Sequence, residues 1–201
     1  MQAFKYTFKI SLIILIITFI GDKLVFYSLN YISDNVYSGQ SIGKLNQYIS
    51  IKDNLDLIVF GSSRANHNIN PTIIKKNSFN MGMDGRMIAY SATLIKLLPK
   101  NKDQIVLLHI DPSNAFNDNY TGFDLDALLV KYNRNKIIKN EIDKLNQNNP
   151  FQIYLWSISY NSKILGILKN YLKPKYDYKE YNGFDPIHPT ATQKNIFKKQ
   201  L

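Results

Sequence analysis

The sequence predicts an α/β fold with a parallel sheet, preceded by one membrane-spanning helix. Three observations predict it. Residues 55–60 (LDLIVF) and 104–110 (QIVLLHI) are short apolar runs that end abruptly, as buried strands do. Between them, residues 87–98 place Ile88, Ala92, Ile95 and Leu98 on one helical face. Ahead of both, residues 10–20 (ISLIILIITFI) are apolar except for Ser11 and Thr18. Strand, helix and strand at this spacing imply parallel strands joined by right-handed crossovers.

The N-terminal run comes first. A spanning helix needs roughly 20 residues. The run reaches that length when residues 4–8 join it, or when Leu24-Val25-Phe26-Tyr27 continues it across Gly21-Asp22-Lys23. Lys5 and Lys9 precede it, as expected at an end retained in the cytoplasm, and Lys23 suits the opposite interface. No small-x-small cleavage site follows, so an uncleaved anchor is expected rather than a signal peptide. The division expected is an anchor over 1–29, a polar connector over 30–54 and an α/β domain over 55–201. The domain is expected outside the cytoplasm on a single-pass anchor.

Within the domain, residues 78–81 read as a short second strand, and Pro99 stops the helix of residues 87–98. Asp111-Pro112 ends the strand of residues 104–110. Residues 125–145 suit two charged helices. Residues 151–172, which hold the single tryptophan, suit a strand and then a helix. A closing helix is expected over 190–201.

Composition narrows the function. The 201 residues fit one domain with an appendage, and 45% hydrophobic content supplies a core. There is no cysteine, which excludes disulfides, thiolate catalysis and Cys-ligated zinc. The formal charge is +10, but the lysines are scattered and no arginine-rich helix or zinc-finger spacing occurs. A solvated basic surface facing an anionic membrane or cell wall is expected, and no nucleic acid. Asp118, Asp124 and Asp126 flank Gly122 without calcium-loop spacing and read as turn and helix-start residues. No metal and no cofactor are expected.

The chemistry-bearing residues follow the strands. Gly61-Ser62-Ser63-Arg64 ends the first strand, where α/β enzymes place reacting groups. Serine hydrolysis needs a nucleophile, a base, a carboxylate to orient the base, and donors for the oxyanion. Ser63 is the candidate nucleophile. Gly85, in the loop after residues 78–81, can offer a backbone N–H. Asn114, after the third strand, can offer an amide. Asp185 and His188 are three apart and fit one turn, with the carboxylate behind the imidazole.

In these four pieces the chain resembles the SGNH (GDSL-type) hydrolases. The boxes of that family correspond to Gly61-Ser62-Ser63, the loop ending at Gly85, the turn reaching Asn114, and Asp185-Pro186-Ile187-His188. The likeness covers residues 55–201. Gly-Ser-Ser-Arg followed by His67 and Pro71 resembles a membrane-anchored bacterial branch. The resemblance implies a three-layer sandwich around a flavodoxin-like parallel sheet. It implies a serine esterase or O-acyltransferase acting on acyl esters, acetyl above all, of cell-envelope polysaccharide, with an acyl-donor membrane partner where transfer occurs. In that scheme Ser63 attacks, His188 takes the proton, Asp185 orients His188, and the Ser63 and Gly85 N–H groups and the Asn114 amide hold the oxyanion. The third box departs from the family, reading Asp111-Pro112-Ser113-Asn114 instead of Gly-x-Asn-Asp. Only one fair strand candidate lies between the third and fourth boxes, and thirteen residues follow His188, so C-terminal truncation is a competing expectation.

Plainer readings stand beside these. Ser62 and Ser63 suit a helix N-cap. Arg64 suits an ion pair with Asp56 or Asp84. His67, four residues after Ser63, is the rival base, or else a surface histidine. His109 reads as a satisfied core histidine, and the aromatics of residues 154–160 as core. The alternative function is a non-catalytic scaffold or glycan-binding relative with the sheet but no working triad.

Overall fold

The computed structural model describes residues 2–174 and 181–187. Ten helices and strands carry the argument. Helix α1 (Gln2–Asp34) is followed by a π-helical turn (Gly39–Gly43) and α2 (Lys44–Ile51). Then come β1 (Leu57–Phe60), α3 (Ser63–Asn68), β2 (Ser78–Asn80), α4 (Ile88–Ile95) and β3 (Ile105–Leu108). The rest is α5 (Pro112–Ala115), α6 (Lys136–Lys144) and α7 (Ile164–Leu172), with 3-10 turns between.

The expected α/β class is present: the three strands form one parallel sheet in the order β2-β1-β3. Leu57 sits opposite Ser78 on one side and Ile105 on the other. All four residues of β1 are buried, because a central strand has a covered face on each side. Ile58 and Phe60 pack into the main core with Tyr48, Leu94, Leu125 and Leu128. Leu57 and Val59 face the other way, onto Ala65 and Leu107. β3 is an edge strand, and its start is open, with Ile105 48% exposed. Its apolar sequence therefore marks a strand correctly while overstating its burial.

Residues 30–54, expected as a connector, instead finish α1 and build core. Leu45 and Tyr48 of α2 are fully buried, and the Tyr48 hydroxyl donates to the Leu94 carbonyl at 2.9 Å. The polar residues beside them are buried by hydrogen bonding. Asn46 Nδ2 donates to the carbonyls of Ser33 and Val36, and Gln47 Nε2 to that of Tyr37. The strand expected within residues 151–158 does not form. Pro150 lacks a ladder donor, and Asn149 accepts from the Phe151 N–H at 2.9 Å, so a 3-10 turn (Pro150–Ile153) starts instead. A second 3-10 turn, Trp156–Tyr160, leads to α7.

α1 is the one described helix long and apolar enough to cross a membrane. It runs through Gly21-Asp22-Lys23 without a break and changes character there. Before Asp22 its apolar side chains are exposed all round. From Asp22 onward Asp22, Phe26, Leu29, Asn30 and Ser33 recur at helical spacing and are buried. They meet the second core cluster, built from Val36, Ile42, Val130, Tyr160 and Ile167.

Asp22 is the lock of this junction. Its carboxylate accepts the backbone N–H groups of Trp156 and Ser157, each at 2.9 Å, and the Ser157 hydroxyl at 2.5 Å. Lys23 donates to the Tyr154 carbonyl at 2.6 Å and lies 4.0 Å from the Trp156 ring centroid. Lower down, Lys131 and Arg134 both pair with Asp34. Asp22→Ala leaves two half-buried N–H donors without their acceptor, a loss of about 1 kcal/mol for each such group. Denaturant unfolding of the full chain in detergent, followed by Trp156 emission, is expected to show at least that loss. An unchanged midpoint would show that the junction does not depend on this carboxylate.

Candidate active site

The sheet order itself creates a site. The chain leaves β1 for β2 on one side and then crosses to β3 on the other. The loops after β1 and β3 therefore diverge and leave a crevice at the carboxyl ends of the strands. A cleft of about 250 Å3 lies there, lined by Ser62, Ser63 and Arg64 after β1, residues 85–88 after β2, and His109, Ile110, Asp111 and Ala115 after β3.

Gly61 makes the turn into this cleft. Its φ of +145° is a backbone conformation that favours glycine, and a Cβ here would lie 2.8 Å from His109 Cβ and 2.9 Å from Ala65 Cβ. Ser62 is at the N-cap position of α3 but makes no side-chain capping bond, and Ser63 is the first helical residue. Both serines are half-buried in the cleft wall. The capping role expected for serine here is thus unfilled by the Ser62 side chain. Gly85 has a φ of +68°, and no atom comes within 4 Å of where a Cβ would stand. It lines the same cleft as the serines.

Arg64 pairs with neither Asp56 nor Asp84. It lies 3.5 Å from Asp111, across the cleft mouth. The Asp111 carboxyl is held below its ordinary value, first by the Ser113 hydroxyl and then, against some desolvation, by Arg64. Arg86 lines the other wall and is bound to Asp126 and to the Asp124 carbonyl. Asp124 is fully buried and accepts the Met87 and Tyr90 N–H groups and the Tyr120 hydroxyl. It caps α4 from a distant segment, which is more than the turn role its sequence suggests.

His109 is the histidine of the cleft among the described residues. It was expected in the core with its ring satisfied. It sits one residue past β3, its N–H bonds the Phe60 carbonyl at 2.9 Å, and its Nδ1 is buried without a partner. The signal in the sequence was its position at the end of the strand, two residues before Asp111-Pro112, which its apolar neighbours obscured.

His67 and Asp185 meet each other, outside the cleft lining. Residues 181–187 dock along β2 and α3: Asn80 N–H donates to the Asn182 carbonyl at 2.7 Å, and Asp185 N–H to the Asn66 carbonyl at 3.1 Å. His67 Nδ1 lies 2.5 Å from the Asp185 carbonyl oxygen and 3.9 Å from its carboxylate. His67 Nε2 lies 3.0 Å from Asp84. A carbonyl and a carboxylate are acceptors, so each ring nitrogen is placed to donate when it carries a proton. Burial opposes a charge on the ring, but the hydrogen bonds to Asp185 and Asp84 and their charges outweigh it and raise the His67 pKa. Both ring nitrogens are engaged by these acceptors and the ring is not part of the cleft lining, so the geometry does not aim His67, the rival base, at Ser63. Of the remaining candidates, His188 and the Asn114 side chain lie outside the described residues and side chains.

Beneath this cluster lies a lysine that the sequence gave no reason to select. Lys44 is fully buried, and its Nζ donates to Asn66 Oδ1 at 2.7 Å and to the Gly82 carbonyl. Asn66 Nδ2 in turn donates to Asp84 at 3.0 Å. Burial pulls the Lys44 pKa down to about 7, with Asp185 and Asp84 pulling the other way. Lys44, Asn66, Asp84, His67 and Asp185 thus form one network that clamps residues 181–187 to α2 and α3. Among the described residues no cluster of His, Asp or Glu has the makings of a metal site.

Comparison with family models, with curated proteins and with solved structures finds no match to the chain.

The network makes stability depend on pH with two opposed signs. The His67 pKa is raised on folding, so its stabilisation is complete below about pH 6.5 and fades as pH rises through the folded value. The Lys44 pKa is lowered from 10.5 to about 7, so the unfolded chain binds the extra proton and stability climbs with pH across that interval. Chemical denaturation between pH 7 and 10 is expected to show the climb in the wild type and its loss in Lys44→Met. A slope unchanged by that substitution would contradict the assignment.

Proposed function

We propose that the chain is a membrane-anchored serine esterase or O-acyltransferase whose nucleophile is Ser63. The observation that carries the reading is the cleft at the carboxyl ends of three parallel strands, lined by both Ser63 and Gly85, the latter with a positive φ. In this reading the sheet belongs to a three-layer, flavodoxin-like sandwich, consistent with the two covered faces of β1. The family is the SGNH hydrolases, and the substrate is an acyl ester of cell-envelope polysaccharide. α1 is the anchor, with the α/β domain on the extracytoplasmic side.

The chemistry runs as follows. Ser63 Oγ attacks the ester carbonyl while a base takes its proton. The tetrahedral oxyanion is held by backbone N–H groups at Ser63 and Gly85 and by the Asn114 amide. The base returns the proton to the leaving alkoxide, and an acyl-Ser63 ester remains. Water or a sugar hydroxyl then attacks that ester, which gives hydrolysis or transfer. His188 serves as base in this scheme with Asp185 behind it.

A second reading is favoured by one observation: Asp185 is engaged with His67 instead of lining the cleft. On that reading the chain is a non-catalytic, glycan-binding relative, and Asp185 serves only to dock its segment.

Hydrolysis of a chromogenic acetyl ester by the full chain in detergent separates the two. Ser63→Ala is expected to lower the rate on the order of 10^4-fold or more, as removal of a nucleophile does. Ser62→Ala is expected to cost less. Activity of wild type that survives Ser63→Ala contradicts the nucleophile assignment. No activity in any form favours the binding protein.

A further inference from the structure

We propose that residues 150–155 form a second membrane contact, a 3-10 turn that inserts Phe151, Ile153, Tyr154 and Leu155 among lipid acyl chains beside α1. The proposal rests on the reading of α1 as a spanning helix.

Depth is the first argument. The apolar helix from Phe4 to Asp34 has 31 residues. At about 1.5 Å per residue it is about 46 Å long, against a hydrocarbon core of about 30 Å. The end from Asp22 onward is packed on the α/β domain, so the lipid-spanning part lies before it. A groove of about 490 Å3 is walled on one side by Leu15, Ile16, Thr18 and Phe19 of that part. Its other wall is Phe151, Tyr154 and Leu155. The turn therefore stands level with Leu15–Phe19, and whatever surrounds those residues also surrounds the turn.

Exposure is the second. Phe151, Ile153 and Tyr154 are 67%, 58% and 69% exposed. Three large apolar side chains in one short turn, continuous with the bare face of α1, form a patch of the kind that soluble surfaces avoid.

Backbone satisfaction is the third and most selective. Non-helical backbone is tolerated at membrane depth only where the protein satisfies its polar groups; most N–H groups of this turn are bonded, although the buried side-chain Gln152 Nε2 has no partner. Phe151 N–H donates to the Asn149 side chain and Gln152 N–H to the Asn149 carbonyl. Tyr154 and Leu155 N–H both donate to the Phe151 carbonyl, and Trp156 N–H to Asp22. Pro150 has no N–H to satisfy. The outward Tyr154 carbonyl accepts from Lys23, whose ammonium also lies over the Phe19 and Trp156 rings. Lysine, tryptophan and tyrosine at one level are the residues expected where hydrocarbon meets headgroups.

The absence of cysteine allows a clean test. Single cysteines at Leu12, Ile73, Phe151 and Ile153, each exposed, are spin-labelled in the full chain after reconstitution into phosphatidylcholine–phosphatidylglycerol vesicles. Collision with oxygen, which partitions into lipid, is compared with collision with a water-soluble nickel chelate. Leu12 reports α1 and Ile73 the water-facing domain. The proposal expects oxygen access several-fold above nickel access at 151 and 153, as at 12, and the reverse at 73. Lipid access at 12 with nickel access at 151 and 153 overturns the second contact and leaves the anchor standing. Nickel access at 12 overturns the anchor itself. Shielding from both reagents at 151 and 153 shows a protein partner or second copy on the turn and also overturns the proposal.

Discussion

The close approach at Gly61 is the constraint on which the rest depends. Three elements come together at this one residue: the end of β1, the start of α3 through Ala65, and the step beyond β3 at His109. A side chain would force them apart, and the φ of +145° would be strained in any other residue. With glycine there, β1 can turn directly into α3. Ser62 and Ser63 are then delivered to the mouth of the crevice that the β2-β1-β3 order opens. The cleft is thus a consequence of topology and of one permitted backbone conformation, and its chemistry comes from what the neighbouring loops add.

Two polar junctions hold this core to its surroundings, and each is built from charges that the sequence presents as ordinary surface residues. At one end, Asp22 collects the N–H groups that begin the Trp156 turn and ties α1 to a segment far away in sequence. At the other, buried Lys44 and the Asn66, Asp84 and His67 side chains hold residues 181–187 against β2 and α3. Removing one partner from such a network leaves the others buried and unsatisfied, which costs more than the net value of the pair. Both junctions therefore specify position more than they add stability. The first fixes the domain relative to α1, and the second fixes where the C-terminal segment enters the fold.

What was legible in the sequence follows from the same physics. β1 could be read because a central parallel strand is apolar at every position, and β3 because β-branched and leucine residues run up to Asp111. Neither run tells centre from edge, so the exposure of Ile105 was not visible. The 44–51 helix was missed because Lys44, Asn46 and Gln47 look solvated, and only their carbonyl partners make them core. The Gly21-Asp22-Lys23 step looked like a break in an apolar run, but glycine inside a helix costs only about 1 kcal/mol and both charges find partners. For the candidate cleft, the positions of Gly61, Ser63 and Gly85 could be read because strand ends and glycines mark such places. The surroundings of His109 and His67 could not, because a histidine's role is decided by what faces its nitrogens across the fold.

The central claim is that Ser63, presented by the Gly61 turn, is a nucleophile. The most direct measurement is treatment of the intact wild-type chain with a fluorophosphonate, followed by mass-spectrometric mapping of the modified peptide. The account predicts a single phosphonyl adduct on Ser63, formed by the folded chain and lost on denaturation. An adduct on Ser62 or another hydroxyl, or equal labelling of folded and denatured protein, would contradict it.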